Sequence, residues 1–142
     1  MKKILILSCV FILSFVFVSC GNSVEDTINS YMYGVQINFH VPDPTQPTTI
    51  PVGQGATFSV TVTKNGEHVD SSDVAVSTFK DSGIGNLRIW NDSGTIDIQS
   101  NKISKKYGEI TDCKFGAVSG TGEFGLKATY KGNTVKVTFR TN

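Results

Sequence analysis

The strongest pattern in the chain is a two-residue alternation of apolar and polar positions. Ala56, Phe58, Val60 and Val62 fall on one side of a segment, with Thr57, Ser59, Thr61 and Thr63 on the other, which is the period of a half-buried strand. Asn65-Gly66 follows, a pair that accepts the left-handed dihedrals of a type I′ hairpin turn. Upstream, Val35, Ile37, Phe39 and Val41 alternate with Gln36, Asn38 and His40. Near the end, Phe124, Leu126, Ala128 and Tyr130 alternate, Gly132-Asn133 fits a two-residue II′ turn, and Val135, Val137 and Phe139 resume the pattern. That predicts a hairpin of two central strands. Shorter apolar segments at 74–79, 87–90, 95–99 and 102–107 are punctuated by Gly, Asp, Ser and Asn. All four prolines fall within residues 42–51; lacking an N–H to donate, they predict a sheet edge or a crossing between sheets. About eight short strands, with turns at roughly 8–12-residue intervals and no long amphipathic helix, predict an all-β antiparallel sandwich.

The first twenty residues break this pattern. Met1-Lys2-Lys3 precedes a run from Ile4 to Val18 that only Ser8, Cys9 and Ser14 interrupt, the basic start and apolar centre of a secretory signal. A membrane-spanning helix needs roughly 20 apolar residues, and polar Gly21-Asn22-Ser23 arrives too soon. Phe17-Val18-Ser19-Cys20 resembles the lipobox of bacterial lipoproteins. The resemblance implies cleavage between Ser19 and Cys20, diacylglycerol on the Cys20 sulfur, and an acylated amino terminus. At about 0.8 kcal/mol per buried methylene, two or three chains make a lasting anchor. Residues 1–19 are then a signal peptide and 20–34 a lipidated tether, with a membrane partner reached through Cys20. The expected location is the bacterial cell envelope. In a cell with two membranes Gly21, where Asp would imply inner-membrane retention, favours the outer membrane. The alternative is an ordinary secretory signal that ends at a cysteine by coincidence.

Composition changes this picture in two ways. Removing residues 1–19 leaves 123 residues, enough for one domain. Of the three cysteines, Cys9 leaves with the signal and a lipidated Cys20 cannot pair. Stability therefore rests on the apolar core rather than on a disulfide. Cys113 is a packing residue on this reading, or else a reactive thiol or an intermolecular bridge. The mature chain carries eleven basic and twelve acidic side chains, a balance that argues against bulk nucleic-acid binding. The distribution is uneven: residues 21–101 hold three basic and nine acidic side chains, residues 102–142 eight and three. Either late strands neutralise early ones, or the charge forms a directed face for a partner.

"PVGQGATFSVTVTKNGEHVDSSDVAV" and "GTGEFGLKATYKGNTVKVTF" together resemble the bacterial immunoglobulin-like domains of invasin-type adhesins and surface lipoproteins. The shared elements are the Val/Gly lead into an alternating strand, the Asn-Gly turn and the closing Gly-rich hairpin. The resemblance implies that residues 35–142 form an immunoglobulin-like antiparallel β-sandwich of about 7–9 strands. It also implies a non-catalytic binding, adhesion or envelope-assembly module with a protein or glycan partner.

Candidate chemistry is sparse. Gly120-Thr121-Gly122-Glu123-Phe124-Gly125 matches GxGxxG, but a dinucleotide site needs a helix after the glycines and an acid about 20 residues on. Here a strand pattern follows and the sequence stops at Asn142, so the glycines are read as turn residues. His40 and His68 have no Cys or His at ligand spacing. Asp70 with Asp73, and Asp92 with Asp97, lack the pattern of a calcium loop. No metal or cofactor is expected. No Ser lies in a G-x-S-x-G elbow, and Glu109 and Asp112 near Cys113 would blunt its thiol. An enzyme with a site in the loops of residues 80–115 remains a third reading. Exposed Trp and Tyr side chains stack on sugars and anchor interfaces, which singles out Trp90 and Tyr107 as candidate ligand contacts. The blander reading of Trp90 is a core residue between the sheets.

Overall fold

The structure is a computed structural model that describes residues 31–141. The expected signal segment, Ser19, Cys20 and the tether as far as residue 30 lie outside the described residues. Ten strands follow one another: β1 (Tyr33–His40), β2 (Ala56–Lys64), β3 (Glu67–Val69), β4 (Ala75–Lys80), β5 (Leu87–Trp90), β6 (Asp97–Ser100), β7 (Ser104–Lys106), β8 (Lys114–Ala117), β9 (Glu123–Tyr130) and β10 (Asn133–Arg140). Tyr107–Glu109 forms one 3-10 turn. The strands make two antiparallel sheets, a six-stranded one in the order β1-β2-β8-β5-β6 with β3 beside β2, and a four-stranded one in the order β10-β9-β4-β7.

The chain is thus an all-β sandwich. Its strand count runs past the expected seven to nine because β3 and β8 are too short to announce themselves by period. β1-β2-β8 and β10-β9-β4 reproduce the A-B-E and G-F-C orders of an immunoglobulin sandwich. The departure lies between β4 and β8. The chain first lays the β5–β6 hairpin beside β8 and only then returns to place β7 beside β4.

Alternation decides what each strand buries. Ile37, Ala56, Phe58, Val60, Val62, Leu87, Ile89 and Phe115 of one sheet meet Val76, Phe124, Leu126, Ala128 and Phe139 of the other, all buried. Aromatic rings join the layers: Phe39 and Phe139 pack edge-on at 4.7 Å between centroids, Phe115 and Phe124 lie 5.4 Å apart, and Tyr33 meets Tyr130 at 5.5 Å. Each such pair contributes about 0.5–1.5 kcal/mol beyond its buried area. Cys113 is fully buried, and burial, with Asp112 adding to it, pushes its thiol up from its ordinary value.

The proline segment crosses between the sheets. After β1, the Arg140 N–H donates to the Thr48 carbonyl at 2.9 Å and the Ile50 N–H to the Arg140 carbonyl at 3.0 Å, so residues 48–50 pair with β10 of the opposite sheet before the chain returns to β2. Two expectations need correction. β9 is central, but β10 is an edge strand of its sheet. The β9–β10 turn is Lys131-Gly132, with φ of 48° and 81°, not Gly132-Asn133. Both dihedrals are left-handed, as in a type I′ turn. At the β2–β3 turn Asn65 and Gly66 adopt 52° and 88°, the expected geometry.

Candidate functional site

The outer face of the six-stranded sheet gathers the most varied side chains. Ala56, Phe115, Ile89 and Ile98 turn toward the core, which sends Thr57, Lys114, Trp90 and Asp97 to the other side of the pleat. The register sets them in one line: His40 opposite Thr57, Thr57 opposite Lys114, Lys114 opposite Trp90, and Trp90 opposite Asp97. At roughly 4.8 Å per strand, His40 and Trp90 stand about 14 Å apart along this row.

At the His40 end the surface falls into a depression of about 380 Å³ lined by Asn38, His40, Thr57, Ser59 and Asp112 together with the apolar Phe39, Phe58 and Cys113. An amide, an imidazole, two hydroxyls and a carboxylate line it, a set that can donate to and accept from a polyhydroxylated ligand. Asp112 holds a left-handed φ of 58°, an uncommon state for a non-glycine residue.

At the other end Trp90 is half-buried, so the core placement between the sheets does not hold. Arg88 lies 4.8 Å from its ring centre and forks onto Asp97, Nε to Oδ1 at 2.8 Å and Nη2 to Oδ2 at 2.9 Å. This pair holds the Asp97 carboxyl below its ordinary value. The indole edge rests on Gly55, where a Cβ would strike the ring. Segment 53–55 lies there because Gly116 beneath it has no side chain and because the Gly53 N–H donates to the Ala117 carbonyl at 2.9 Å. The indole N–H has no hydrogen-bond partner among the described residues and stays free to donate.

Tyr107 is elsewhere. Its ring lies 6.4 Å from inward-facing Phe58, on the core side of the sheet whose outer side carries Trp90. The two candidate contact residues are not brought together. In the loops of residues 80–115, Asp81 accepts from the backbone N–H of Gly83 at 3.0 Å and of Glu123 at 2.8 Å, Asp92 pairs with Lys114 at 2.6 Å, and Asp97 is held by Arg88. These carboxylates fasten turns and strands. Asp70 accepts from the Ser72 N–H and hydroxyl, and Asp73 pairs with Lys106. Among the described residues no three His, Cys, Asp or Glu gather as a metal site would require. His68 is exposed beside the outer face of β1 and β2, and Gly120 and Gly122 of the glycine motif lie in the loop leading into β9. Sequence reasoning missed Lys114, Asn38, Ser59 and Asp112, since no local motif joins residues so far apart.

No protein-family model, no curated protein and no solved structure matches the chain.

Proposed function

We propose that this is a lipid-anchored protein of the bacterial cell envelope whose immunoglobulin-like sandwich is a non-catalytic binding module for adhesion or envelope assembly. The observation that carries the reading is the lipobox-like Phe17-Val18-Ser19-Cys20 a short tether ahead of a sandwich that begins at Tyr33. In a cell with two membranes, Gly21 favours the outer one. Since a sandwich hosts many functions, the test bears on the anchor. Cells fed radiolabelled palmitate should label the wild-type protein and leave Cys20→Ala unlabelled, and the variant should appear in the soluble fraction or keep its signal segment. Equal membrane retention and labelling of both would overturn the reading. Protease added to intact cells then separates a surface-facing domain, which is cut, from one inside the envelope, which is protected.

A second reading, a small glycan-binding or other ligand-binding sandwich, is favoured by the row from His40 to Trp90. One ring of an oligosaccharide would stack on the indole while the hydroxyls of a sugar further along bond to the polar side chains of the depression, Asn38, His40 and Ser59. Trp90 emission titrated with envelope and host glycans tests it: a saturable shift that His40→Ala and Asn38→Ala weaken supports the reading, and silence across the panel removes it.

A further inference from the structure

The outer face of the four-stranded sheet has a different chemistry. The β9–β10 hairpin, residues 123–140, holds Lys127, Lys131, Lys136 and Arg140 against one acid, Glu123, and Arg140 is paired with Glu123 at 2.8 Å. Lys127 and Lys136 stand directly opposite each other on neighbouring strands, both exposed, with no carboxylate partner among the described residues. Like charges so placed are destabilising. The register makes this avoidable: pairing shifted by two residues would keep every apolar side chain on the same face and set each lysine opposite a threonine. Lys136 lies 3.9 Å from the centre of the Phe79 ring, which holds its ammonium at the surface. Lys131 occupies the left-handed first position of the hairpin turn, where Asn, Asp or Gly is the ordinary choice. Three lysines therefore stand without a carboxylate partner along one hairpin, two opposed and one in a strained turn, and only the Lys136 contact with Phe79 returns anything to the folded domain.

The place of this stripe in the molecule identifies what would gain. The tether enters the sandwich at Tyr33, whose ring packs on Tyr130, next to the Lys131-Gly132 turn. The cationic hairpin thus begins at the anchored pole. We infer that the hairpin face docks on the anionic lipid headgroups of the membrane that holds the anchor, laying the four-stranded sheet toward the bilayer and turning the His40–Trp90 row away from it. The inference rests on the lipid-anchor reading for its setting, while the docking itself is testable without the lipid.

The experiment uses the mature chain carrying Cys20→Ser, which removes acylation, with vesicles of phosphatidylcholine alone or mixed with phosphatidylglycerol. Binding is expected only to the anionic vesicles. It should fall about fivefold for each of Lys127→Ala, Lys131→Asn and Lys136→Ala, the increment of one basic side chain near such a surface, and vanish in about 1 M salt, where the Debye length is about 3 Å. Lys114→Ala, on the opposite face, makes the same change in net charge and should leave binding unaltered. Equal binding to both vesicles, or an equal loss from Lys114→Ala, would overturn the inference. So would lysine-dependent binding to polyglutamate with none to vesicles, which assigns the face to an acidic protein. Because palmitate labelling tests the anchor separately, either idea can fail without the other.

Discussion

Replacing Gly116 by alanine isolates the contact that seats Trp90. Gly116 is the third residue of β8, and its outward side is covered by the backbone of residues 54 and 55. A Cβ there would fall inside the Gln54 carbonyl oxygen, 3.1 Å from the Gln54 carbonyl carbon and 3.3 Å from the Gly55 Cα. All three obstacles are backbone, so no side-chain rotation relieves them. Segment 53–55 must lift, weakening the Gly53–Ala117 hydrogen bond and loosening the surface beneath the indole. Overpacking costs about 1–3 kcal/mol and the hydrogen bond about 1 kcal/mol, for a total of about 2–4 kcal/mol. At about 4 °C per kcal/mol for a domain of this size, Tm should fall by about 8–16 °C. Trp90 is the sole tryptophan, so its emission should shift to the red in the folded state of the variant.

The control is Gly66→Ala. That glycine has φ of 88°, and nothing lies within 4 Å of the place an added methyl would take, so only backbone strain of about 1–2 kcal/mol acts, and the emission should be unchanged. Urea denaturation followed by circular dichroism gives the stabilities, and native-state fluorescence the second readout. If Gly116→Ala is within about 0.5 kcal/mol of the parent and its emission is unaltered, the close approach of residues 53–55 to β8 is wrong, and with it the seat assigned to Trp90.

Phe124→Ala should destabilise by about 3–5 kcal/mol in urea, because Phe124 is fully buried between Phe115 and Phe139; a loss under about 1 kcal/mol would place it outside the core. In the mature Cys20→Ser chain, Cys113 should react with a thiol reagent only as fast as the domain opens, since it is buried and its thiol is raised above the ordinary 9.0, and immediate modification of the native protein would contradict this. Hydrogen bonds hold Asp43, Asp70 and Asp81, and the Arg88 pair holds Asp97, below an ordinary value of 3.8. Groups depressed by folding stabilise above their unfolded pKa and lose that contribution as pH falls through the folded one, so the urea midpoint should be level near neutrality and drop below about pH 4. Asp81→Asn should flatten part of that drop. Lys131→Asn should gain about 1 kcal/mol and Asn65→Lys lose as much, because the two turns share one geometry; equal stabilities would mean the left-handed lysine carries no cost.

How far the sequence revealed this structure depends on which signal each element needed. β1, β2, β9 and β10 were legible because eight or nine residues give alternation room to declare itself. β8 was not: Lys114-Phe115-Gly116-Ala117 offers one large apolar residue and a glycine where the period should continue, and only its neighbours β2 and β5 make it a central strand. The β9–β10 turn was misplaced because two registers, differing by two residues, present the same apolar face. What favours the observed one is not periodic: Phe124 comes opposite Phe139 and Glu123 opposite Arg140, the latter as an ion pair. The outward position of Trp90, by contrast, is legible in its own strand. Leu87 and Ile89 must share a face, and in a four-residue strand that leaves Arg88 and Trp90 outside. The row from His40 to Asp97 joins five strands from 40 to 97 and 114 in the chain, a convergence that pairing creates and no local spacing encodes.

That convergence depends on the departure from immunoglobulin order. Between β4 and β8 the chain must cover the open side of β8, and the β5–β6 hairpin does so with Leu87, Ile89 and Ile98 on the core side. The same alternation forces Arg88, Trp90 and Asp97 outward, where the Arg88–Asp97 fork ties β5 to β6. Trp90 comes opposite Lys114 only because β5, rather than β7, lies beside β8. With β7 placed instead at β4, Lys106 meets Asp73 at the margin of the other sheet, while Lys127, Lys131 and Lys136 of the β9–β10 hairpin keep no carboxylate partner among the described residues. One rerouting thus gives the two outer faces their separate characters, an aromatic and hydrogen-bonding row on one sheet and lysines on the other. Since the faces of a sandwich point in opposite directions, whatever engages the lysines leaves the row accessible, and the two can be titrated independently in one molecule.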